Sequence, residues 1–170
     1  MLELGKAGAC GVGTGVLPVL RDGAVVATLR AANWKEQATA VVGDREWAFS
    51  RRKGELAGRW AVEPEGAARL RARQTSSWKG TWSADLEGTP VEVAVRSHWK
   101  GTHRFTSAGQ QVAESGTTGG WSPRPTLTAV PGMPLEHQVF LLWLELVISR
   151  RNTALVTAAV AGGVVAGGSS

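Results

Sequence analysis

One stretch decides the fold: Val139-Phe140-Leu141-Leu142-Trp143-Leu144-Glu145-Leu146-Val147-Ile148. Pro134 can begin a helix ahead of it, and Arg150 and Arg151 suit the negative end of a helix dipole. Projected at 3.6 residues per turn, the run is apolar on every side except at Glu145. It is too short to span a bilayer, which takes roughly 17–25 residues. We therefore predict a helix that is enclosed by protein.

The enclosing element is predicted from the residues before the helix. Between residues 16 and 130, short apolar runs are cut by Gly, Asp, Asn or Pro about every 8–12 residues, as in strands joined by tight turns. Residues 68–73 alternate Ala or Leu with Arg, so one face is buried and the other is positive. Val occupies every second position of 91–95, which predicts a hairpin from Thr81 to Ser97. Further strands are predicted at 25–29, 39–42, 46–49 and 59–62.

The predicted fold class is therefore mainly β, an antiparallel β-barrel closed around one apolar C-terminal helix. A chain of 170 residues fits a single domain. Residues 1–15 are predicted to form a flexible N-terminal lead and residues 16–151 the barrel with its helix. Residues 152–170 form an Ala/Gly-rich extension, which is expected to lengthen the helix, to add a strand, or to hang free of the folded domain. A membrane anchor is disfavoured there because Ala and Gly contribute little hydrophobicity.

Charge and cysteine content narrow the functional classes. Lys and Arg outnumber Asp and Glu by 19 to 14, and residues 51–104 carry the excess. Cys10 is the single cysteine, which excludes an intramolecular disulfide and a Cys-rich zinc site. Met1 to Lys6 do not show the basic and then apolar pattern of a secretory signal. We expect a cytoplasmic protein, peripheral to a membrane if it binds lipid.

A short repeat lies in the basic region. Ser77-Trp78-Lys79-Gly80-Thr81 recurs as His98-Trp99-Lys100-Gly101-Thr102, and Asn33-Trp34-Lys35 is a fainter copy. Two clear copies are too few for a solenoid or a propeller. The repeat predicts the same turn used twice, with Gly adopting a positive φ and Trp covering the sheet.

The sequence resembles the tubby-like fold, in particular its LURP-one-related and phospholipid-scramblase-like branch. The residues that carry this resemblance are 47–53 (WAFSRRK), 58–62 (GRWAV) and the helix 140–148. The resemblance implies a closed barrel around a central helix, over roughly residues 16–151. It also implies phosphoinositide or membrane binding, the role of tubby proteins, whereas many bacterial members have no recorded role. The chain departs from the family in lacking Tyr, in carrying Glu145 inside the helix, and in its extension.

The residues needed for catalysis are sparse. His98 and His103 lie near one predicted turn and are expected to face solvent, without a third ligand for a metal. Residues 11–15 (GVGTG) lack the Lys-Ser/Thr ending of a phosphate-binding loop. Glu145 is expected to reach the barrel rim or an Arg partner, the alternative being a buried carboxylate. We predict no catalytic residue, no metal, no cofactor and no enzymatic activity.

The feature that does point to a function is a set of cations and tryptophans, which are candidates for contact with an anionic ligand: Arg51, Arg52, Lys53, Lys79, Lys100, Trp78 and Trp99. On anionic lipid, tryptophan sits at the headgroup level and each nearby Lys or Arg contributes about 1 kcal/mol. We therefore predict contact with anionic phospholipid by a non-enzymatic tubby-like domain. Two alternatives remain open: single-stranded nucleic acid, whose bases stack on aromatic rings, and a scaffold or protein-interaction domain with a merely solvated basic face.

Overall fold

The computed structural model describes residues 1–32, 35–97 and 99–162. Over these residues, twelve antiparallel strands form one closed barrel in chain order, and the first strand pairs with the last. One helix, α1 (Leu135–Gly162), follows the strands. The strands are β1 (Leu2–Leu4), β2 (Leu17–Arg21), β3 (Ala24–Ala31), β4 (Ala38–Val42), β5 (Arg45–Arg52), β6 (Glu55–Trp60), β7 (Leu70–Ser76), β8 (Thr81–Leu86), β9 (Thr89–Ser97), β10 (Thr102–Ser107), β11 (Gln110–Thr117) and β12 (Pro125–Ala129).

The barrel encloses the middle of α1. From Val139 to Leu144 no residue exposes more than 1% of its surface. Six consecutive residues make more than one helical turn, so the helix is covered on every side. The ring of Phe49, on β5, lies 5.5 Å from that of Phe140 and 5.1 Å from that of Trp143. The predicted mainly β barrel closed around an apolar C-terminal helix is confirmed.

Strand alternation follows the predicted period of two. Leu70 and Ala72 of β7 are buried, whereas Arg71 and Arg73 are exposed. Val91 and Val93 of β9 are buried, and β9 pairs with β8 in the predicted hairpin. The period-two pattern therefore sorts core residues from the outer wall.

The barrel begins earlier than residue 16. Residues 1–15 were expected to be a flexible lead, but Leu2–Leu4 form β1, which pairs with both β2 and β12 and so closes the barrel. Leu2 and Leu4 are buried in the core. The alternation Leu-Glu-Leu suits a strand with one buried face, although three residues are too few for a pattern to stand out.

The helix ends later than expected. It continues through Asn152 to Gly162, so the first part of the 152–170 extension lengthens it. Arg150 and Arg151 therefore do not lie at its C-terminal end. Arg150 donates a hydrogen bond to the carbonyl of Ala32, and Arg151 binds both carboxylate oxygens of Glu36. These two arginines fasten the helix to the loop between β3 and β4.

Candidate functional site

The loops of the barrel fall into two groups, because successive connections in an antiparallel barrel alternate between its ends. We call one group the tryptophan end; it consists of the loops 5–16, 32–37, 53–54, 77–80, 98–101 and 118–124. The opposite end consists of 22–23, 43–44, 61–69, 87–88, 108–109 and 130–134. Because α1 follows 130–134, it enters at the opposite end and leaves at the tryptophan end. Its contacts agree: His137 meets Glu87 at entry, and Arg151 meets Glu36 at exit.

Three tryptophans project into solvent from neighbouring loops of the tryptophan end. Trp78 is 94% exposed, Trp99 is 96% exposed, and Trp121 is fully exposed. The expectation that the repeated tryptophans cover the sheet is wrong, because they occupy the hairpin tips, beyond the reach of the barrel core. Trp34, in the fainter copy of the repeat, lies outside the described residues.

The two repeated hairpins hold their tips in the same way. The backbone N–H of Lys79 donates to Ser76 Oγ at 3.1 Å, and that of Lys100 donates to Ser97 Oγ at 3.2 Å. In each hairpin the following glycine has a positive φ, 64° at Gly80 and 59° at Gly101, as predicted. These bonds fix the turn, so each hairpin presents a Trp-Lys pair at a defined tip. A serine two residues before each tryptophan was the sequence signal for this bond.

Charge is divided between the two ends. The loops of the tryptophan end contain one acidic residue, Glu36, and six basic ones: Lys6, Lys35, Lys53, Lys79, Lys100 and Arg124. The loops of the opposite end contain one basic residue, Arg69, and five acidic ones: Asp22, Asp44, Glu63, Glu65 and Glu87. Glu65 reaches back along the wall to Arg52. The loops at the two ends therefore carry opposite net charge, +5 at the tryptophan end and −4 at the opposite end.

The predicted cations are not equally available. Arg51 lies 3.4 Å from Glu36, and Arg52 lies 3.2 Å from Glu65. The hydrogen bond from Arg151 lowers the pKa of Glu36, so this carboxylate stays charged beside Arg51. Lys53, Lys79 and Lys100 are exposed and have no acidic partner within the described part of the chain. The lysines, rather than the arginines, are the cations free to meet an anion.

A buried His–Glu pair lies inside the barrel, and the sequence indicated only the alternative of a buried Glu145, not His103 as its partner. His103 is 2% exposed and Glu145 is 4% exposed. His103 Nδ1 lies 3.0 Å from Glu145 Oε1 and 3.1 Å from Oε2, with the hydrogen bond directed to Oε2. The expectation that His103 faces solvent is wrong, and Glu145 follows the alternative of a buried carboxylate rather than reaching the rim or an arginine. A register shift between Thr102 and His103 accompanies the inward orientation of the histidine. His98 lies outside the described residues.

This buried pair is not arranged as a catalytic triad. Ser115 is close to His103, but its Oγ accepts a 2.7 Å hydrogen bond from the backbone N–H of His103 rather than from the imidazole ring. In a Ser-His-Asp triad the serine hydroxyl is hydrogen-bonded to a ring nitrogen of the histidine. Across the described residues, no three His, Cys, Asp or Glu side chains come together as a metal site. The pair therefore fits a structural role, joining α1 to the barrel wall.

A cleft of about 540 Å³ lies beside the Trp99 hairpin on the outer wall. Its lining includes Lys100, an Arg96–Glu114 ion pair of 2.6 Å, and hydroxyl side chains from β10, β11 and β12. Because Glu114 neutralises Arg96, Lys100 is the cation that this cleft offers to a ligand.

Comparisons with known proteins add no identification. No family model, curated protein or solved structure matches the chain. Within the described residues, no helix combines the length and apolar character that a membrane crossing requires. Any assignment of function therefore rests on the geometry of the tryptophan end.

Proposed function

We propose that this chain is a non-enzymatic, tubby-like domain that binds anionic phospholipid headgroups at a membrane surface through its tryptophan end. The observation that carries the proposal is the near-complete exposure of Trp78, Trp99 and Trp121 on neighbouring loops. Moving a large apolar side chain out of water lowers the free energy of the system. Tryptophan also prefers the membrane interface, where its ring lies among headgroups and its N–H keeps a polar partner.

The charge distribution supports the same orientation. Lys79 and Lys100 sit next to the exposed tryptophans, and Lys53 lies in another loop of that end. An anionic surface would attract this end, while the acidic loops of the opposite end would be repelled. The cytoplasmic leaflet carries the negative surface potential that this arrangement fits. The proposal accordingly places the protein in the cytoplasm, at the periphery of a membrane.

A membrane surface fits the geometry better than nucleic acid does. Proteins that bind single strands combine a positive groove with aromatic rings on which successive bases stack. Here the exposed rings stand at separate loop tips and point into solvent, as expected for contact with an extended surface. Single-stranded nucleic acid therefore becomes an outcome that the experiment below can detect.

Removing two exposed tryptophans should weaken binding without affecting the fold. For Trp78→Ala/Trp99→Ala we expect a loss of about 1 kcal/mol per ring, or roughly 30-fold in partitioning onto anionic vesicles. Co-sedimentation with phosphatidylserine-containing vesicles, at several lipid concentrations, measures the change. Because both rings are already in water, the urea midpoint of unfolding should stay the same.

Val62→Ala is the matched control, since Val62 is 92% exposed in a loop of the opposite end. It should bind vesicles like the wild type. The proposal would be wrong if the wild type did not pellet with anionic vesicles, or if the double tryptophan variant pelleted equally well. It would also be wrong if single-stranded oligonucleotide bound at low salt and the vesicles did not.

A further inference from the structure

The last part of α1 protrudes from the barrel. Side chains are exposed at every position from Asn152 to Leu155, and again at Thr157 and Ala158. Leu155 is 69% exposed. Since these positions cover all sides of the helix, no wall of the barrel packs against it here. Because α1 leaves the barrel at the tryptophan end, this segment projects on the same side as Trp78, Trp99 and Trp121.

The protruding segment is uncharged rather than strongly apolar, with Asn152 at its base, so the low hydrophobicity of Ala and Gly that disfavours a membrane anchor weighs less on a helix end that enters a single leaflet. From residue 152 to 162 the sequence contains no Asp, Glu, Lys or Arg. Its two threonine hydroxyls are satisfied within the helix: Thr153 Oγ1 donates to the carbonyl of Ser149, and Thr157 Oγ1 to that of Thr153, both at 3.0 Å. A helix also satisfies its own backbone groups, which a lipid environment requires. The hydroxyls therefore do not need water.

We propose that residues 152–162 insert into one leaflet of the anionic bilayer that the tryptophan end contacts, an inference that rests on the proposed function. Eleven helical residues rise roughly 16 Å, about half of a hydrocarbon core of ~30 Å. The segment therefore enters one leaflet without crossing the membrane. Arg150 and Arg151, at its base, are held by the Ala32 carbonyl and by Glu36, so the segment is anchored to the barrel at the point where it would enter the headgroups. Since the helix is continuous with the enclosed part, insertion would also fix the barrel's orientation on the membrane.

The depth of labelled positions tests the insertion in the full chain. In a Cys10→Ser background, Asn152→Cys, Ala158→Cys and Asp44→Cys each carry an environment-sensitive NBD fluorophore. The vesicles contain phosphatidylserine and lipids with nitroxide quenchers at known depths. We expect the fluorophore at residue 158 to lie up to about 9 Å deeper than that at residue 152, from the helical rise. The fluorophore at residue 44, at the opposite end, should remain in water.

The outcomes separate this inference from the proposed function. If the labelled proteins pellet with anionic vesicles but the fluorophore at residue 158 stays in water, insertion is wrong and surface binding stands. If none of them pellets, both proposals are wrong. A fluorescence change that appears without vesicles, grows with protein concentration and stays the same when vesicles are added would mean that the segment pairs with a second copy, and would contradict insertion.

Discussion

Replacing His103 with Ala is expected to lower the free energy of unfolding by about 3–5 kcal/mol, because it empties a buried position and leaves a buried Glu145 oxygen without its hydrogen-bond partner. The substitution leaves the Glu145 carboxylate inside the barrel without its hydrogen-bond partner. Among the described residues no group donates a hydrogen bond to Oε1, so the loss of His103 would leave neither oxygen of Glu145 with a partner there. Urea unfolding followed by tryptophan fluorescence measures the loss.

Two further variants show whether the pair itself is responsible. His103→Leu/Glu145→Leu should recover most of the loss, because apolar residues can replace a buried pair at little net cost. His137→Ala is the comparison: His137 is also buried, but its partner Glu87 is partly exposed and can be solvated, so the loss of stability should be smaller than for His103→Ala. A His103→Ala variant as stable as the wild type would contradict this account of the core.

Reversing two lysine charges should almost abolish membrane binding. Lys79→Glu/Lys100→Glu removes two attractions of about 1 kcal/mol each and adds two repulsions of similar size, so partitioning should fall by roughly a thousandfold. Co-sedimentation with phosphatidylserine-containing vesicles at low salt measures it. Higher salt should weaken wild-type binding and reduce the difference, because the Debye length shortens.

A matched single substitution tests whether position matters. Lys100→Glu should lower partitioning by roughly 30-fold, whereas Arg45→Glu makes the same charge change at the opposite end of the barrel and should have little effect. Equal losses in the two variants would show that net charge alone governs binding, and would remove the tryptophan end as the contact surface.

The sequence predicted the fold where many residues carry one pattern. The all-round apolar run 139–148 requires enclosing walls, and the alternation of 70–73 separates the core from the solvent face. The sequence was a poor guide where the orientation of a single side chain, inward or outward, is the question. Tryptophan is hydrophobic enough to suggest burial, but the turn position of Trp78 places it at a tip. His103 turns inward beside a register shift that its neighbours in sequence do not reveal.

Only the local part of the candidate site could be predicted from the sequence. The repeated Trp-Lys turns were visible in the sequence, but their shared end depends on counting strands correctly, including the three-residue β1. The pairing of Arg51 with Glu36 also joins residues from different loops. Long-range contacts of this kind have no local sequence signal. Glu145 did carry one, since a lone carboxylate in an apolar helix calls for a buried partner.

The contact surface is tested most directly by hydrogen–deuterium exchange of the unmodified protein, with and without phosphatidylserine-containing vesicles. We predict slower amide exchange in loops 77–80, 98–101 and 118–124, and unchanged exchange in loops 22–23, 43–44 and 87–88 at the opposite end. Vesicles of neutral lipid should produce much less protection. Protection confined to the opposite end, or none at saturating anionic lipid, would contradict the claim that the tryptophan end faces the membrane.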